Sequence, residues 1–187
     1  QDALDLPRTP FDEEYDVHQH MGRNLSAGLE ATLDVQWLTA VAQAQENWFW
    51  YKNYTGSSFM VEFLVEVAAA DSYPDIISMS YFTIEASMAA SDFELWDTEA
   101  LKLAAQGVTI LAASGDDGAP GEFVRLLNNV SYCGYFAYFP SSSKYTVSVG
   151  GTQGPEKGGS EITCASDTGG TITSGGGFSN FERRPHF

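Results

Sequence analysis

Two acidic groups in this sequence of 187 residues have spacings that suit proton-transfer chemistry. Glu30 and Asp34 are four positions apart in a segment without Gly or Pro, so a helix would place both carboxylates on one face, one turn apart. Like charges at that separation disfavour joint ionisation, which raises one pKa and suits the pair to general-base work in acid. Acidic residues in a first helical turn also commonly complement the helix dipole, and this alternative stays open.

The second acidic group is the loop at residues 114–118, which reads Ser-Gly-Asp-Asp-Gly. It follows a predicted buried strand, where backbone and side-chain donors are well placed to stabilise a developing oxyanion. An Asp can donate there only when it is protonated, which again implies acid conditions. An ordinary turn is the structural alternative, and the spacing does not fit an EF-hand calcium loop. His18 and His20 lack an evident third ligand, so we predict no metal site.

The composition excludes several classes of function. Nine Lys and Arg stand against 25 Asp and Glu, a formal net charge of −16. A nucleic acid is bound by clustered basic residues, and an anionic membrane surface would repel this chain. Hydrophobic residues at 43% and aromatic residues at 13% are too frequent for a disordered acidic tail, so the chain should fold. No apolar run approaches the roughly 18 to 20 residues of a membrane helix.

The asparagines and cysteines indicate a secretory route. Asn24, Asn53 and Asn129 each open a glycosylation sequon. The two cysteines, Cys133 and Cys164, are most simply one disulfide in a secreted chain, and two free buried thiols are the alternative. We therefore expect an extracellular protein or one of an acidic compartment such as a lysosome or vacuole.

The elements that would position these groups follow an α/β pattern. Residues 75–81 and 108–113 read as buried strands, and residues 91–107 between them read as a helix that ends at a glycine. This βαβ unit predicts a parallel sheet with helices on both faces and with functional loops at the carboxyl ends of its strands. The other predicted elements are helices at 29–45 and 59–70, strands at 48–51 and 144–151, and loops or a hairpin at 154–177.

Four blocks, residues 28–38, 113–119, 139–152 and 174–180, resemble in order and spacing the sedolisin family, the serine-carboxyl peptidases, and in particular its tripeptidyl-peptidase branch. The resemblance implies a subtilisin-like α/β fold and an acid endopeptidase or tripeptidyl-peptidase activity. By position, Glu30 would be the general base, Asp34 the carboxylate that orients it, and Asp116 the protonated donor to the oxyanion. The substrate-binding residues that it implies are Ser80, Tyr81, Ser114 and Gly115.

Three features depart from the family pattern. The Ser-Gly-Thr-Ser-like motif of the family's nucleophile does not occur in this sequence, Phe82 stands where Gly is usual, and Asp117 stands where a small Ser is common. A catalytically inactive, secreted binding or structural module is therefore the alternative function. Under the leading hypothesis, a second chain from the same precursor completes the sheet and brings the serine.

The resemblance also sets the expected organisation. We expect the amino-terminal part of a sedolisin-like domain, with a leading segment at 1–26, an α/β core at 27–153 and a Gly/Ser/Thr-rich loop region at 154–187. The calcium ion that the family implies would have its ligands beyond Phe187.

Overall fold

The computed structural model describes residues 13–15, 28–43, 45–52, 56 and 58–184. The chain divides into two compact units, Gln1–Thr55 and Gly56–Phe187, and each is described by itself. Across the described ranges, no helix has the length and apolarity that a membrane crossing requires.

The first unit contains the helix predicted to carry Glu30 and Asp34. Strands β1 (Glu13–Tyr15) and β2 (Trp48–Trp50) pair in parallel, and helix α1 (Leu29–Val41) lies between them in the sequence. The helix begins after an extended Gly28, which confirms the predicted start. It ends before the predicted residue 45 because Ala42 leaves the helical region. The Ala42 carbonyl accepts a hydrogen bond from the side-chain Nδ2 of Asn47 at 3.1 Å.

The second unit is built on the predicted parallel sheet. In chain order, it contains α2 (Phe59–Ala69), β3 (Ile76–Met79), β4 (Thr83–Ile84), α3 (Ala90–Ala105), β5 (Thr109–Ala113), α4 (Phe123–Leu127), β6 (Tyr138–Phe139), β7 (Val147–Val149), β8 (Thr152–Gln153) and β9 (Ile162–Thr163). Strands β3, β5 and β7 form one parallel sheet with β5 in the middle. The predicted βαβ crossover, β3–α3–β5, is confirmed, as is a hairpin within the Gly-rich region, where β8 pairs with β9.

Helix α3 owes its position to one apolar stripe. Its fully buried side chains recur at helical spacing and comprise Phe93, Trp96, Ala100 and Leu103. The helix packs against α2 and β5. It ends just before Gly107, whose φ of 93° is a conformation that side chains with a Cβ avoid, so the chain can turn directly into β5.

An aromatic cluster joins α3 to the strand that supports the candidate site. The Phe139 ring lies 5.4 Å from that of Phe93 and 5.1 Å from that of Trp96, centroid to centroid. The indole Nε1 of Trp96 donates a hydrogen bond to Thr146 Oγ1 at 3.2 Å. Offset and edge-on aromatic pairs of this kind add to the apolar burial that holds the helix on the sheet.

A buried carboxylate lies on the same helix. Asp97 is 7% exposed and accepts a hydrogen bond from Ser143 Oγ at 2.5 Å. The Lys144 ammonium lies 3.1 Å from Asp97 Oδ2 and 2.9 Å from both carboxylate oxygens of Glu182. Two carboxylates thus share one cation, and full ionisation leaves one negative charge uncompensated.

The two carboxyl groups differ in proton affinity. Burial and the neighbouring Glu182 raise the pKa of Asp97, against the opposing effects of Ser143 and Lys144. Burial also acts to raise the pKa of Glu182, but its hydrogen bonds with Asp97 and Lys144 lower the pKa overall. When the pair holds one proton, Asp97 is therefore the group that binds it.

The raised pKa of Asp97 predicts a stability that decreases as pH rises. A raised folded-state pKa contributes stability at low pH that is lost as pH rises through that value, so the melting temperature should fall as pH rises above about 4, the ordinary pKa of an aspartate. Asp97→Asn should flatten this fall. Glu94→Gln, which removes an exposed charge from the same helix, is the control for general charge repulsion. An equally steep fall in Asp97→Asn would contradict the prediction.

Candidate functional site

The loop that follows β5 is held on both sides by backbone hydrogen bonds. On the β7 side, the Ser114 amide donates to the Val149 carbonyl at 2.9 Å. On the other side, the Gly175 amide donates to the Gly115 carbonyl at 2.8 Å and lies 3.0 Å from Ser114 Oγ. Because β5 is the middle strand, the loop cannot move without breaking contacts to two other segments.

The next residues of this loop are joined to the Gly-rich region. The Thr173 amide donates to the Asp116 carbonyl at 2.8 Å, and the Gly118 amide donates to the Thr173 carbonyl at 3.0 Å. These bonds align the backbone of Asp117 in parallel with that of Thr173. The structure thus brings together three blocks that are far apart in the sequence, at residues 113–119, 147–152 and 174–180.

Gly115 is required by its conformation and by its surroundings. Its φ is 96°, and a Cβ at this position would lie 2.3 Å from a ring carbon of Tyr138. Tyr138 is 1% exposed, and its ring contacts that of Phe82 edge-on, with 4.6 Å between centroids. Phe82 therefore supports the loop indirectly, through its contact with Tyr138. Its sequence position did not reveal this role.

The predicted substrate-binding residues Ser80 and Tyr81 follow β3. The parallel register pairs Met79 with Ala112, so the two residues continue alongside the start of the polar loop after β5. Tyr81 is 43% exposed, and its ring lies edge-on to that of Phe59 at 6.0 Å. Ser80, Tyr81, Ser114 and Gly115 thus share the carboxyl edge of the sheet, where such sheets place their ligands.

A cleft of about 450 Å³ opens beside the loop, and its lining includes Asp116, Asp117, Arg125, Ser166 and Thr173. The guanidinium of Arg125 binds the Asp117 carboxylate through Nε at 2.5 Å and through Nη2 at 2.9 Å. Burial, and then the charge of Asp117, raise the pKa of Asp116, whereas Arg125 acts in the opposite direction. The half-buried Asp116 therefore keeps its proton to higher pH than an ordinary aspartate does.

Sequence reasoning did not find Arg125 or Tyr138. Arg125 is eight residues from its partner Asp117, and helix α4 returns it to the loop. The sequence did offer one indication of this contact: Arg125 is a lone arginine shortly after an acidic loop, in a chain with few basic residues. Nothing in the sequence pointed to Tyr138, because it is the fold that brings its ring against Gly115.

Glu30 and Asp34 lie on α1, in the first unit, as predicted. They occupy successive turns of one helical face; Glu30 is exposed and Asp34 half-buried. The structure thus groups the predicted site residues in two sets, the carboxylate pair on α1 and the residues at the carboxyl edge of the sheet in the second unit.

The structure does not form the disulfide expected from the even cysteine count. Both cysteines are free: Cys133 is exposed, whereas Cys164 is buried and its thiol donates to the Ile172 carbonyl at 3.3 Å. The two thiols lie in different environments, since one is exposed and the other is buried with its own backbone acceptor.

Asn129 is the sequon asparagine that lies within the described residues. Its exposed side chain accepts a hydrogen bond from the Ser131 amide at 2.9 Å. Asn24 and Asn53, as well as His18 and His20, lie outside the described residues.

The described part of the chain contains no cluster of three His, Cys, Asp or Glu side chains arranged for a metal ion. The calcium ligands that the resemblance implies stay a prediction for residues beyond Phe187.

The fold and this polar edge define a class: an α/β protein of subtilisin-like architecture. Pseudomonas sedolisin, a serine-carboxyl proteinase with a solved structure complexed with two molecules of pseudo-iodotyrostatin, has the same fold. Its TM-score is 0.68 at 23% identity, over 98% of this chain and 53% of that one. A lanthipeptide protease has a TM-score of 0.54 at 15% identity, over 78% of this chain and 43% of its own. No protein-family model matches the sequence.

The proteins that are similar in sequence identify the family more specifically than the structural neighbours do. Human tripeptidyl-peptidase 1 is 33% identical over 165 residues, 86% of this chain and 27% of that protein. Tripeptidyl-peptidase 1 of Dictyostelium discoideum is 32% identical over 167 residues, 88% of this chain and 25% of that protein. The chain thus spans about a quarter of the length of the curated relatives that it matches. It belongs to the sedolisin family, the serine-carboxyl peptidases, as the sequence blocks predicted.

The packing of Gly115 predicts a position-specific cost of substitution. Gly115→Ala should lower the free energy of unfolding by more than Gly158→Ala does. Both glycines have positive φ, which costs a non-glycine residue about 1 kcal/mol, but a Cβ at Gly158 meets nothing within 4 Å. Urea unfolding of the two variants measures the difference. Equal losses would show that the Tyr138 contact does not constrain the loop.

Proposed function

We propose that this chain forms part of an acid serine-carboxyl peptidase that hydrolyses peptide bonds, as an endopeptidase or a tripeptidyl-peptidase. The observation that carries the proposal is the pairing of family membership with a half-buried Asp116 whose pKa is raised at the carboxyl edge of the sheet. A carboxyl group that keeps its proton in mild acid can donate a hydrogen bond where an ionised one cannot.

The proposed chemistry divides the work among three carboxyl groups. A serine hydroxyl attacks the peptide carbonyl carbon, and its proton passes to Glu30, which Asp34 orients and polarises. The protonated Asp116 donates a hydrogen bond to the oxyanion of the tetrahedral intermediate. Glu30 then returns the proton to the leaving amine, and water repeats the sequence on the acyl-enzyme. Ser80, Tyr81, Ser114 and Gly115 would hold the substrate backbone.

We propose further that a second chain of the same precursor brings the nucleophilic serine. One observation supports a partner that completes the sheet. Strand β7, which pairs with β5 on one side, has half-exposed apolar side chains, with Val147 at 51% and Val149 at 50%.

A secretory or lysosome-like acid compartment fits this chemistry. The accessible Asn129 sequon and the proton requirement of Asp116 both support it.

Activity of the assembly with its serine-bearing chain tests the proposed roles. Near pH 4, Glu30→Gln should lose most of kcat, because the base is gone. Asp116→Ala should lower kcat by about 10²- to 10³-fold, the usual cost of one oxyanion donor. Asp116→Asn keeps a donor that does not titrate, so part of kcat should persist to higher pH. Asp71→Asn, an exposed carboxylate of the second unit, is the control. Parental kcat in Glu30→Gln would refute the proposal.

Peptide mapping of the purified native assembly tests the second chain. We expect a co-purifying polypeptide that contains a Ser-Gly-Thr-Ser-like sequence and remains bound at acid pH. A stable chain of this sequence that binds no other polypeptide, measured by light scattering with intact mass, would contradict the expectation.

The second candidate function is a catalytically inactive binding or structural module. Phe82 favours it, because a large ring fills the position where Gly would leave room for substrate backbone, and the ring is committed to packing on Tyr138. An assembly that contains the serine yet cleaves no peptide at any acid pH would favour this module over the enzyme.

A further inference from the structure

Asp117 and Arg125 form an ion pair in the same cleft as Asp116, and the proposed chemistry leaves this pair without a role. We propose that Asp117 is a positioning residue: it holds a fixed negative charge beside Asp116 and thereby favours the protonated, hydrogen-bond-donating form of that carboxyl group, while Arg125 both anchors Asp117 and limits its effect. The inference rests on the oxyanion role proposed above for Asp116.

Two independent restraints fix the position of the Asp117 charge. Its side chain is 10% exposed and accepts both hydrogen bonds of the bidentate contact with Arg125. Its backbone is aligned with Thr173 through the hydrogen bonds of the flanking Asp116 and Gly118. A bidentate guanidinium contact fixes direction as well as distance, so the carboxylate cannot swing into solvent away from its neighbour.

The charged groups around Asp116 act in a definite order. Burial is the largest influence that raises its pKa, the charge of Asp117 is the next, and the opposing charge of Arg125 is weaker than either. The titratable residues that line the cleft are Asp116, Asp117 and Arg125. Glu122 and Tyr138 interact electrostatically with Arg125. The ion pair as a whole therefore acts on Asp116 as a net negative charge.

The arrangement makes opposite predictions for the two partners of one ion pair. Removing the Asp117 charge leaves Arg125 to favour ionisation, so the pKa of Asp116 should fall. Removing the Arg125 charge leaves Asp117 unopposed, so the pKa of Asp116 should rise. An ion pair that served only to hold the loop in place would move the pKa of Asp116 in the same direction in both variants, because either one breaks the same contact.

Carboxyl ¹³C NMR titration of this chain, in complex with its partner where one is bound, measures the pKa of Asp116 directly. Asp116→Asn assigns the resonance. We expect a lower pKa in Asp117→Asn and in Asp117→Ser, a higher pKa in Arg125→Gln, and no change in the control Asp71→Asn. Two different replacements of Asp117 guard against a local folding defect, which urea unfolding of each variant would reveal. Shifts of the same sign in Asp117→Asn and Arg125→Gln, or no shift in either, would overturn the inference.

The pH profile of kcat/KM in the active assembly separates this inference from the proposed function. The alkaline limb should move to lower pH in Asp117→Asn and to higher pH in Arg125→Gln, in step with the titration. Opposite titration shifts in an assembly without peptidase activity would uphold the role of Asp117 toward Asp116 and contradict the role of Asp116 in catalysis. An alkaline limb that moves while the Asp116 titration does not would refute the inference.

Discussion

The central place of β5 in its parallel sheet is the constraint on which the candidate site depends. A strand with neighbours on both sides has no freedom to slide, and its carboxyl end must therefore deliver Ser114 and Gly115 to one fixed point. Val149 holds the loop from the side of β7, and Gly175 holds it from the Gly-rich region. Since β3 runs in parallel with β5, Ser80 and Tyr81 reach the same edge. The order of the strands thus brings the candidate substrate-binding residues to one edge before any side chain is considered.

Close packing then restricts which residue types can occupy the positions at that edge. Gly115 lies against the ring of Tyr138, and Tyr138 lies against Phe82, so two aromatic side chains support the loop after β5 where a smaller residue would leave a void. The helix α3 anchors the other end of the same strand, since Phe139 packs on Phe93 and Trp96. The loop is therefore coupled to the main apolar core through the short strand β6, and a polar site rests on an apolar support.

Carboxyl groups with a raised pKa occur in two parts of the second unit. Burial raises the pKa of Asp116 at the cleft and that of Asp97 on α3, and in each place a second carboxylate and one cation modify the effect. In a chain with a formal net charge of −16 at neutral pH, protonation of such groups lowers the charge repulsion. The candidate site and the scaffold thus both contain a carboxyl group that binds a proton more readily than an ordinary aspartate does.

Much of this arrangement could be predicted from residue patterns. The helix that carries Glu30 and Asp34, the βαβ unit, the parallel sheet and the hairpin in the Gly-rich region follow from apolar periodicity and from glycine positions, which are local properties. The helix end at Val41 was harder to predict, because the contact between Ala42 and Asn47 competes with further helical turns. Family membership also followed from short motifs in order, since a motif is a local string of residues.

The sequence by itself determined the fold class, the family and the identity of the candidate carboxyl groups. These follow from periodicity, turn residues and motif order, which are local properties of the sequence. Only the tertiary structure decided what surrounds each group. It placed Arg125 on Asp117, Tyr138 against Gly115, and Lys144 between Asp97 and Glu182, and it buried Cys164 while it left Cys133 exposed. The physical reason is that burial and charge interactions depend on distances across the fold, which separation along the chain does not specify.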